Sequence, residues 1–289
     1  MILDKQNWFS EICEEAGSAF SFRIREKLHE EQTPYQKIEI YQTENFGKLM
    51  VIDGFVMLTS WDNFLYHEML AHPVLYTHAA PQRVLIIGGG DCGTLHEVLK
   101  HPEVTLVHQV DIDERVTRLS EQYFPELCAS NHDPRAELHF ADGIKWVRDA
   151  AAGSYDVIIV DSTDPIGPGE VLFTEEFYRN CRRLLGEDGL LVQQSESPIY
   201  HLELLSGMHR SMRAAGFDKT ATLNFPQPVY PSGWWSATMA GNGDLATFRQ
   251  RDCETRPFST RYYNHKIHAA ALAMPNFVEQ YLMENLQDE

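Results

Sequence analysis

The stretch RVLIIGGGDCG, residues 83–93, constrains the fold of this 289-residue chain more than any other. An apolar run, Val84–Ile87, leads straight into Gly88, Gly89 and Gly90, with Gly93 three residues further on, and Asp111 closes the next apolar run about 20 residues later. In a strand–loop–helix unit, glycines in a G-x-G-x-x-G frame let backbone close on a nucleotide, and the later carboxylate can hold ribose hydroxyls. Plain tight-turn glycines are the bland alternative. The strand before and the acid after favour a nucleoside site that includes Gly88, Gly90 and Asp111.

The rest of the chain repeats that unit. Strand-like runs at 83–88, 105–112, 137–141, 155–161 and 190–194 alternate with helical patterns at 95–100, 114–123, 175–185 and 202–215. This alternation predicts an α/β fold: a doubly wound, mainly parallel, Rossmann-like sheet with helices on both faces, whose ligands sit beyond the carboxyl ends of the strands. Ahead of it, residues 20–65 carry short strand patterns broken at Thr33-Pro34, Asn45-Phe46-Gly47 and Asp53-Gly54, the signature of a small antiparallel sheet. The expected division is an N-terminal β domain, 1–65, and a catalytic domain, 66–289. The tail from Thr222 onward reads as further strands and a closing helix.

Charge and composition limit the partners. With 42 acidic against 24 basic residues the net charge is −18, which opposes a nucleic-acid or anionic-membrane surface, because phosphate binding is supplied mainly by Lys and Arg. Cationic small molecules suit such a chain better. Its apolar stretches fall far short of the roughly 20 residues needed to span a bilayer, and residues 1–20 do not read as a secretory signal. The five cysteines contain no CxxC pair, and the 13 histidines show no metal-ligand spacing. A cytoplasmic protein without metal is expected.

Three groups of acids carry the chemistry. Asp91 sits inside the glycine loop, where it would repel the pyrophosphate of a dinucleotide, so a cationic nucleoside such as a sulfonium adenosyl compound suits the loop better than NAD. Asp91 could equally cap the following helix. Asp142-Gly143 ends a strand where sheets of this kind offer a side chain and backbone to adenine. Asp161 and Asp164 end a buried strand and enter a Pro- and Gly-rich loop, where two carboxylates are costly unless they meet cations or hydrogen-bond donors.

The runs YHEML (66–70), VLIIGGGD (84–91), DSTDPIGPGEVLF (161–173), YPSG (230–233) and RYYN (261–264) resemble those of the spermidine synthases, the polyamine aminopropyltransferases, over nearly the whole chain. The resemblance implies a methyltransferase-like sheet after a small β domain. It also implies transfer of an aminopropyl group from decarboxylated S-adenosylmethionine, as co-substrate rather than cofactor, to a diamine such as putrescine. The products would be spermidine and methylthioadenosine, and the assembly a homodimer or homotetramer. Residue by residue, it implies that Gln36, His67, Asp91, Asp111, Asp142, Gly143 and Pro168 line the donor site. Tyr66, Asp161, Asp164 and Tyr230 would line the diamine site, with Gln194 and Glu196 at its far end, Asp161 as catalytic base and Tyr66 orienting the amine.

Three positions depart from the family pattern. Asp111 replaces the usual Glu, Met57 replaces Gln in DGxxQ, and Cys92 stands where Gly is common. Two other classes share the fold, an S-adenosylmethionine-dependent methyltransferase and a non-catalytic polyamine-binding protein. Asp91 opposes the first, since a bare carboxylate about 4 Å from the α-carboxylate of S-adenosylmethionine would cost roughly 4 kcal/mol at an effective dielectric of 20. Retention of both Asp161 and Asp164 opposes the second.

Overall fold

The computed structural model describes residues 4, 7–14, 16–164 and 167–286, apart from the side chains of Pro168 and Leu286. Five strands open the chain: β1 (Trp8–Cys13), β2 (Ser18–Gln32), β3 (Lys37–Thr43), β4 (Lys48–Ile52) and β5 (Phe55–Thr59). They form one antiparallel sheet in sequence order. The β4–β5 link shows why this sequence turns where it does. Asp53 (φ 51°) and Gly54 (φ 91°) are both left-handed, the backbone that a two-residue hairpin loop requires and that Asp-Gly supplies at least cost.

Helix α1 (Asn63–Thr77) then crosses to the second layer, with all but its second and last residues buried. Its polar groups are buried with the apolar ones, and Asn63, Tyr66, His67, Glu68 and His72 each find a specific partner. Glu68 accepts backbone N–H groups from Arg261, Tyr262 and Tyr263 at 2.7, 2.8 and 2.7 Å. That bond set ties the two short runs YHEML and RYYN together across the fold.

The strands and helices that follow are β6 (Arg83–Gly88), α2 (Gly93–Leu99), β7 (Leu106–Asp111), α3 (Glu114–Tyr123), β8 (Ala136–Phe140), α4 (Gly143–Asp149) and β9 (Tyr155–Asp161). A 3-10 turn (Gly167–Phe173) leads to α5 (Glu175–Leu184), β10 (Leu185–Gln194), α6 (Leu202–Ala214), β11 (Lys219–Pro226) and β12 (Trp234–Gly241), and three helices close the chain: α7 (Gln250–Glu254), α8 (His265–Ala271) and α9 (Asn276–Leu286). The seven-stranded sheet runs β11-β12-β10-β9-β6-β7-β8. Its five strands from β10 to the β8 edge are parallel, and β12 and β11 extend it antiparallel on the other side. Val84–Ile87 and Val157–Val160 are buried on both faces, as strands with helices above and below must be. Because β7 lies on one side of β6 and β9 on the other, a crevice opens where the order reverses, at Gly88, Asp111 and Asp161.

Candidate active site

Gly88 holds the crevice together. It is left-handed at φ 80°, and a Cβ there would lie 2.2 Å from the carbonyl oxygen of Asp161. The next residue, Gly89, donates its N–H to that carbonyl at 2.8 Å. The glycine loop is thus pinned to the end of β9, and the Asp161 side chain projects between two hydroxyls. Tyr66 on α1 donates to Oδ1 at 2.8 Å and Thr94 on α2 donates to Oδ2 at 2.6 Å. Burial, and then the charge of Asp91, push the Asp161 carboxyl up to about 6, against the pull of His67, Thr94 and Tyr66. Burial and Asp161 push the Tyr66 phenol well above its usual range, so it serves as a donor.

Asp91 is not bare. Its Oδ1 accepts the first amide of α2, Gly93 N–H, at 2.7 Å, and its Oδ2 lies 3.2 Å from Nε2 of His67. Burial alone would raise it, but the charge of His67, the His67 bond and the Gly93 bond bring it below the ordinary carboxylate value. His67 shows the reverse: burial works against its charged form and Asp91 overrides this, lifting it to about 9. The two form an imidazolium–carboxylate pair. Gly93 makes room for it, since a Cβ there would fall 2.2 Å from the His67 ring.

The other residues expected on the donor side gather around the ends of β7 and β8. Asp111 accepts the Asp113 N–H at 2.8 Å and lies against Gly90, whose carbonyl is bonded by Thr117. Burial raises the Asp111 carboxyl to about 6, with the neighbouring acids Asp113, Asp161 and Asp91 adding to the rise. Gln36 comes over from the β2–β3 turn. Its amide and the Thr33 hydroxyl bond Oδ2 of Asp113 at 3.1 and 2.7 Å, so the N-terminal sheet reaches the rim of the crevice. Asp142 caps α4 through the Ile144 and Lys145 amides, with Gly143 as its first helical residue. Pro168 lies in the 3-10 turn, and its side chain is outside the described residues.

On the other side of Asp161 a narrow slot is lined by Glu11, Met57, Tyr66, Asp164, Gln194, Tyr230 and Trp235, among others. Tyr66 and Trp235 meet Tyr230 edge-on at ring-centre distances of 6.1 and 4.7 Å, and the Tyr230 hydroxyl donates to the Met57 carbonyl at 2.6 Å. Three acids crowd the far end. Asp164 and Glu196 share a hydrogen bond, and burial followed by the charge of Glu196 raises Asp164 well above its usual value. Glu196, raised by burial, also faces the Gln194 amide at 3.4 Å. Glu11 of β1 accepts the Val56 N–H at 2.7 Å, and burial lifts it to about 7. An aromatic slot ending in acids that resist ionising accepts an alkyl chain with a cation at its end.

Comparison with known proteins gives the family. Residues 63–250 match the family described as "Spermine/spermidine synthase domain", and residues 7–60 match "Spermidine synthase tetramerisation domain". The chain belongs to the spermine/spermidine synthase family. It is 65% identical over 281 residues to a polyamine aminopropyltransferase of Methylococcus capsulatus, covering 97% of this chain and 99% of that one. A second, of Nitrosococcus oceani, is 65% identical over 280 residues, covering 97% and 98%. Among solved structures, a spermidine synthase in complex with the transition-state analogue AdoDATO superposes with a TM-score of 0.93 at 36% identity, covering 97% of this chain and 96% of that one. The spermidine synthase of Thermotoga maritima gives 0.91 at 35%, with the same coverage. The chain is accordingly an aminopropyl-transferring enzyme.

Several residues that line this candidate site were not foreseen from the sequence. Thr94 is an ordinary helix residue on its face, Glu11 lies in a strand that no periodicity marked, and Trp235 reads as strand packing although it also lines the slot. The one available signal for Thr94 was its place one residue after Gly93 in the glycine frame.

Proposed function

We propose that this enzyme transfers the aminopropyl group of decarboxylated S-adenosylmethionine to putrescine, giving spermidine and methylthioadenosine. The observation that carries the proposal is the Asp161 carboxylate, held by Tyr66 and Thr94 between the glycine-loop crevice and the acid-ended slot. The adenosyl group would lie over the ends of β6, β7 and β8, with its ribose at Asp111 and adenine at Asp142-Gly143. The donor's ammonium would meet Asp91. Putrescine would thread the slot past Tyr66, Tyr230 and Trp235, its far ammonium at Asp164, Glu196 and Gln194.

The reacting nitrogen arrives protonated, since an alkylamine titrates near about 10. Each oxygen of Asp161 already accepts one hydroxyl and has a further lone pair for an ammonium N–H. Burial raises Asp161 to about 6, which narrows the mismatch with the amine and makes the proton transfer less uphill. Tyr66, its proton committed to Asp161, offers an oxygen lone pair that aims the amine. The freed nitrogen attacks the methylene beside sulfur, the C–N bond forms, the C–S bond breaks with its electrons to sulfur, and a neutral thioether leaves. The nitrogen's proton goes to Asp161 and then to water.

The N-terminal sheet's likeness to a tetramerisation domain supports a homodimer or homotetramer. The acidic balance and the lack, among the described residues, of a helix long and apolar enough to cross a membrane support action in the cytoplasm on small cations rather than on nucleic acid or lipid. The deciding experiment is turnover with decarboxylated S-adenosylmethionine plus putrescine, run beside S-adenosylmethionine, with products identified by mass. Spermidine and methylthioadenosine formed only with the decarboxylated donor is the expected result. Methyl transfer from S-adenosylmethionine, or binding without turnover, would overturn it.

A further inference from the structure

On the outer strands of the large sheet, away from the crevice, β7 and β8 bring His108, Glu137 and His139 together. Glu137 and His139 are two apart on one strand and so share a face, and His108 is the direct partner of Glu137 in the parallel register. Their three donor atoms all lie within 4.8 Å of one another. Oε2 of Glu137 is 3.3 Å from Nε2 of His108 and 3.5 Å from Nε2 of His139. Bonds of about 2.0–2.1 Å from a tetrahedral zinc ion to nitrogen and oxygen set neighbouring donors about 3.3 Å apart, so two of the three separations already have that spacing.

Two further features fit a metal site better than a plain edge cluster. The other ring nitrogen of His108 is committed elsewhere: its Nδ1 pairs with the hydroxyl of the buried Tyr155 at 2.8 Å, which in turn accepts from the Trp146 indole N–H at 3.1 Å. With the proton on Nδ1, donated to the Tyr155 oxygen, the imidazole is held with the Nε2 lone pair toward a metal, as a ligating histidine requires. Meanwhile Nε2 of His139 is buried without a hydrogen-bond partner, a state that costs free energy unless something completes it. Glu137 is 55% exposed at its side chain, which leaves the fourth position to water.

We propose that His108, Glu137 and His139 bind one divalent transition-metal ion, zinc foremost, with water as its fourth ligand. Two imidazoles and one carboxylate select zinc, nickel or copper over magnesium or calcium, which prefer all-oxygen sites. The site lies roughly 10 Å along β7 from Asp111 and takes no part in the proposed reaction. The signal in the sequence is the Glu137-x-His139 alternation on a strand, which a search for helical histidine spacing passes over.

Tag-free full-length protein, freed of metal with chelator, is titrated with zinc by calorimetry and with copper by fluorescence. Trp146 sits 4.6 Å from the His139 ring, so copper held there quenches its emission. Wild type is expected to take up one equivalent of zinc at micromolar concentration, with copper quenching to match. His139→Gln should lose that equivalent and the quenching. Glu137→Gln, at an exposed position that tolerates substitution, should weaken binding at least tenfold. Tyr155→Phe should retain the equivalent with affinity about tenfold lower, as loss of a ligand's supporting hydrogen bond does. Aminopropyl transfer by the metal-free wild type should stay unchanged. No zinc uptake by the wild type, or His139→Gln and Glu137→Gln binding as the wild type does, overturns the proposal.

Discussion

Replacing Asp161 with Asn should make the enzyme more stable at neutral pH while removing its activity. The folded protein holds this carboxyl at about 6 against an ordinary 3.8, which at about 1.4 kcal/mol per unit is an upper limit of about 3 kcal/mol. A raised carboxyl binds its proton more tightly folded than unfolded, so its contribution to stability is fully present below pH 3.8 and is lost as pH rises to about 6. Above that the ionised Asp161 is a net burden. Asn carries no charge at any pH, and it keeps one hydroxyl as a donor to its oxygen while its amide donates to the other. Allowing for water in the open crevice, the gain at pH 8 is about 1–2 kcal/mol, or roughly 2–4 °C in Tm for a chain of this size. The assay is a thermal melt of both proteins at pH 8 and pH 5. The variant should melt higher at pH 8, with the gap reduced to about half at pH 5, where the wild-type carboxyl has largely regained its proton. Turnover should fall at least about a hundredfold. A variant that melts below the wild type at pH 8 would refute the buried-charge reasoning, and turnover within a few-fold would refute Asp161 as base.

Other consequences concern pH, charge pairing, packing and acceptor choice. The plot of kcat/KM for the diamine against pH should lose a factor of ten per unit below about 6, where Asp161 protonates in the free enzyme; activity flat down to pH 5 would exclude it as the titrating base. Asp91→Asn should shrink the preference for decarboxylated over carboxylated donor by about tenfold in calorimetric affinities, and an unchanged ratio would remove Asp91 from donor selection. Glu68→Gln places one amide nitrogen among three backbone donors; leaving N–H groups unpaired should cost about 2–3 kcal/mol, read as a lower Tm, and an unaltered melt would show that the Arg261–Tyr263 segment is held otherwise. Since one methylene is worth only about 1–3 kcal/mol, putrescine should be used with measurable leakage to cadaverine or spermidine in a kcat/KM series, and absolute selectivity would contradict this.

The parallel sheet was legible because its strands are buried on both faces and read as unbroken apolar runs, and its helices α3 and α5 carry clear polar and apolar sides. Helix α1 was not, although it supplies Tyr66 and His67. A helix buried all round has no face to alternate, and its Pro73 and histidines look like loop residues. Strand β1 pairs only at the edge of the first sheet, through β2, and nothing in its own pattern sets it apart, so Glu11 went with it. Cys92 could be flagged as standing in place of glycine, and the structure gives the reason glycine is common there: the position is left-handed, at φ 68°. Partners across the sequence, such as His67 with Asp91, are a property of the closed fold and cannot be read from spacing.

That last pairing changes how the site must discriminate. Read from sequence, Asp91 is a lone carboxylate that repels the α-carboxylate of an unprocessed donor at full strength. In the fold it faces an imidazolium at 3.2 Å, so the repulsion it exerts alone is largely cancelled. The field at the crevice belongs instead to Asp91, Asp111 and Asp161 together, with His67 paired to Asp91 as a cation. Burial raises Asp111 and Asp161 each to about 6, and the charge of Asp91 adds to the rise in both. An entering sulfonium and ammonium relieve that strain by replacing protons as the positive charge, whereas a carboxylate on the same ligand adds to it. Selection for a decarboxylated donor is then a collective property of three acids, which is why removing Asp91 should weaken the preference without abolishing it.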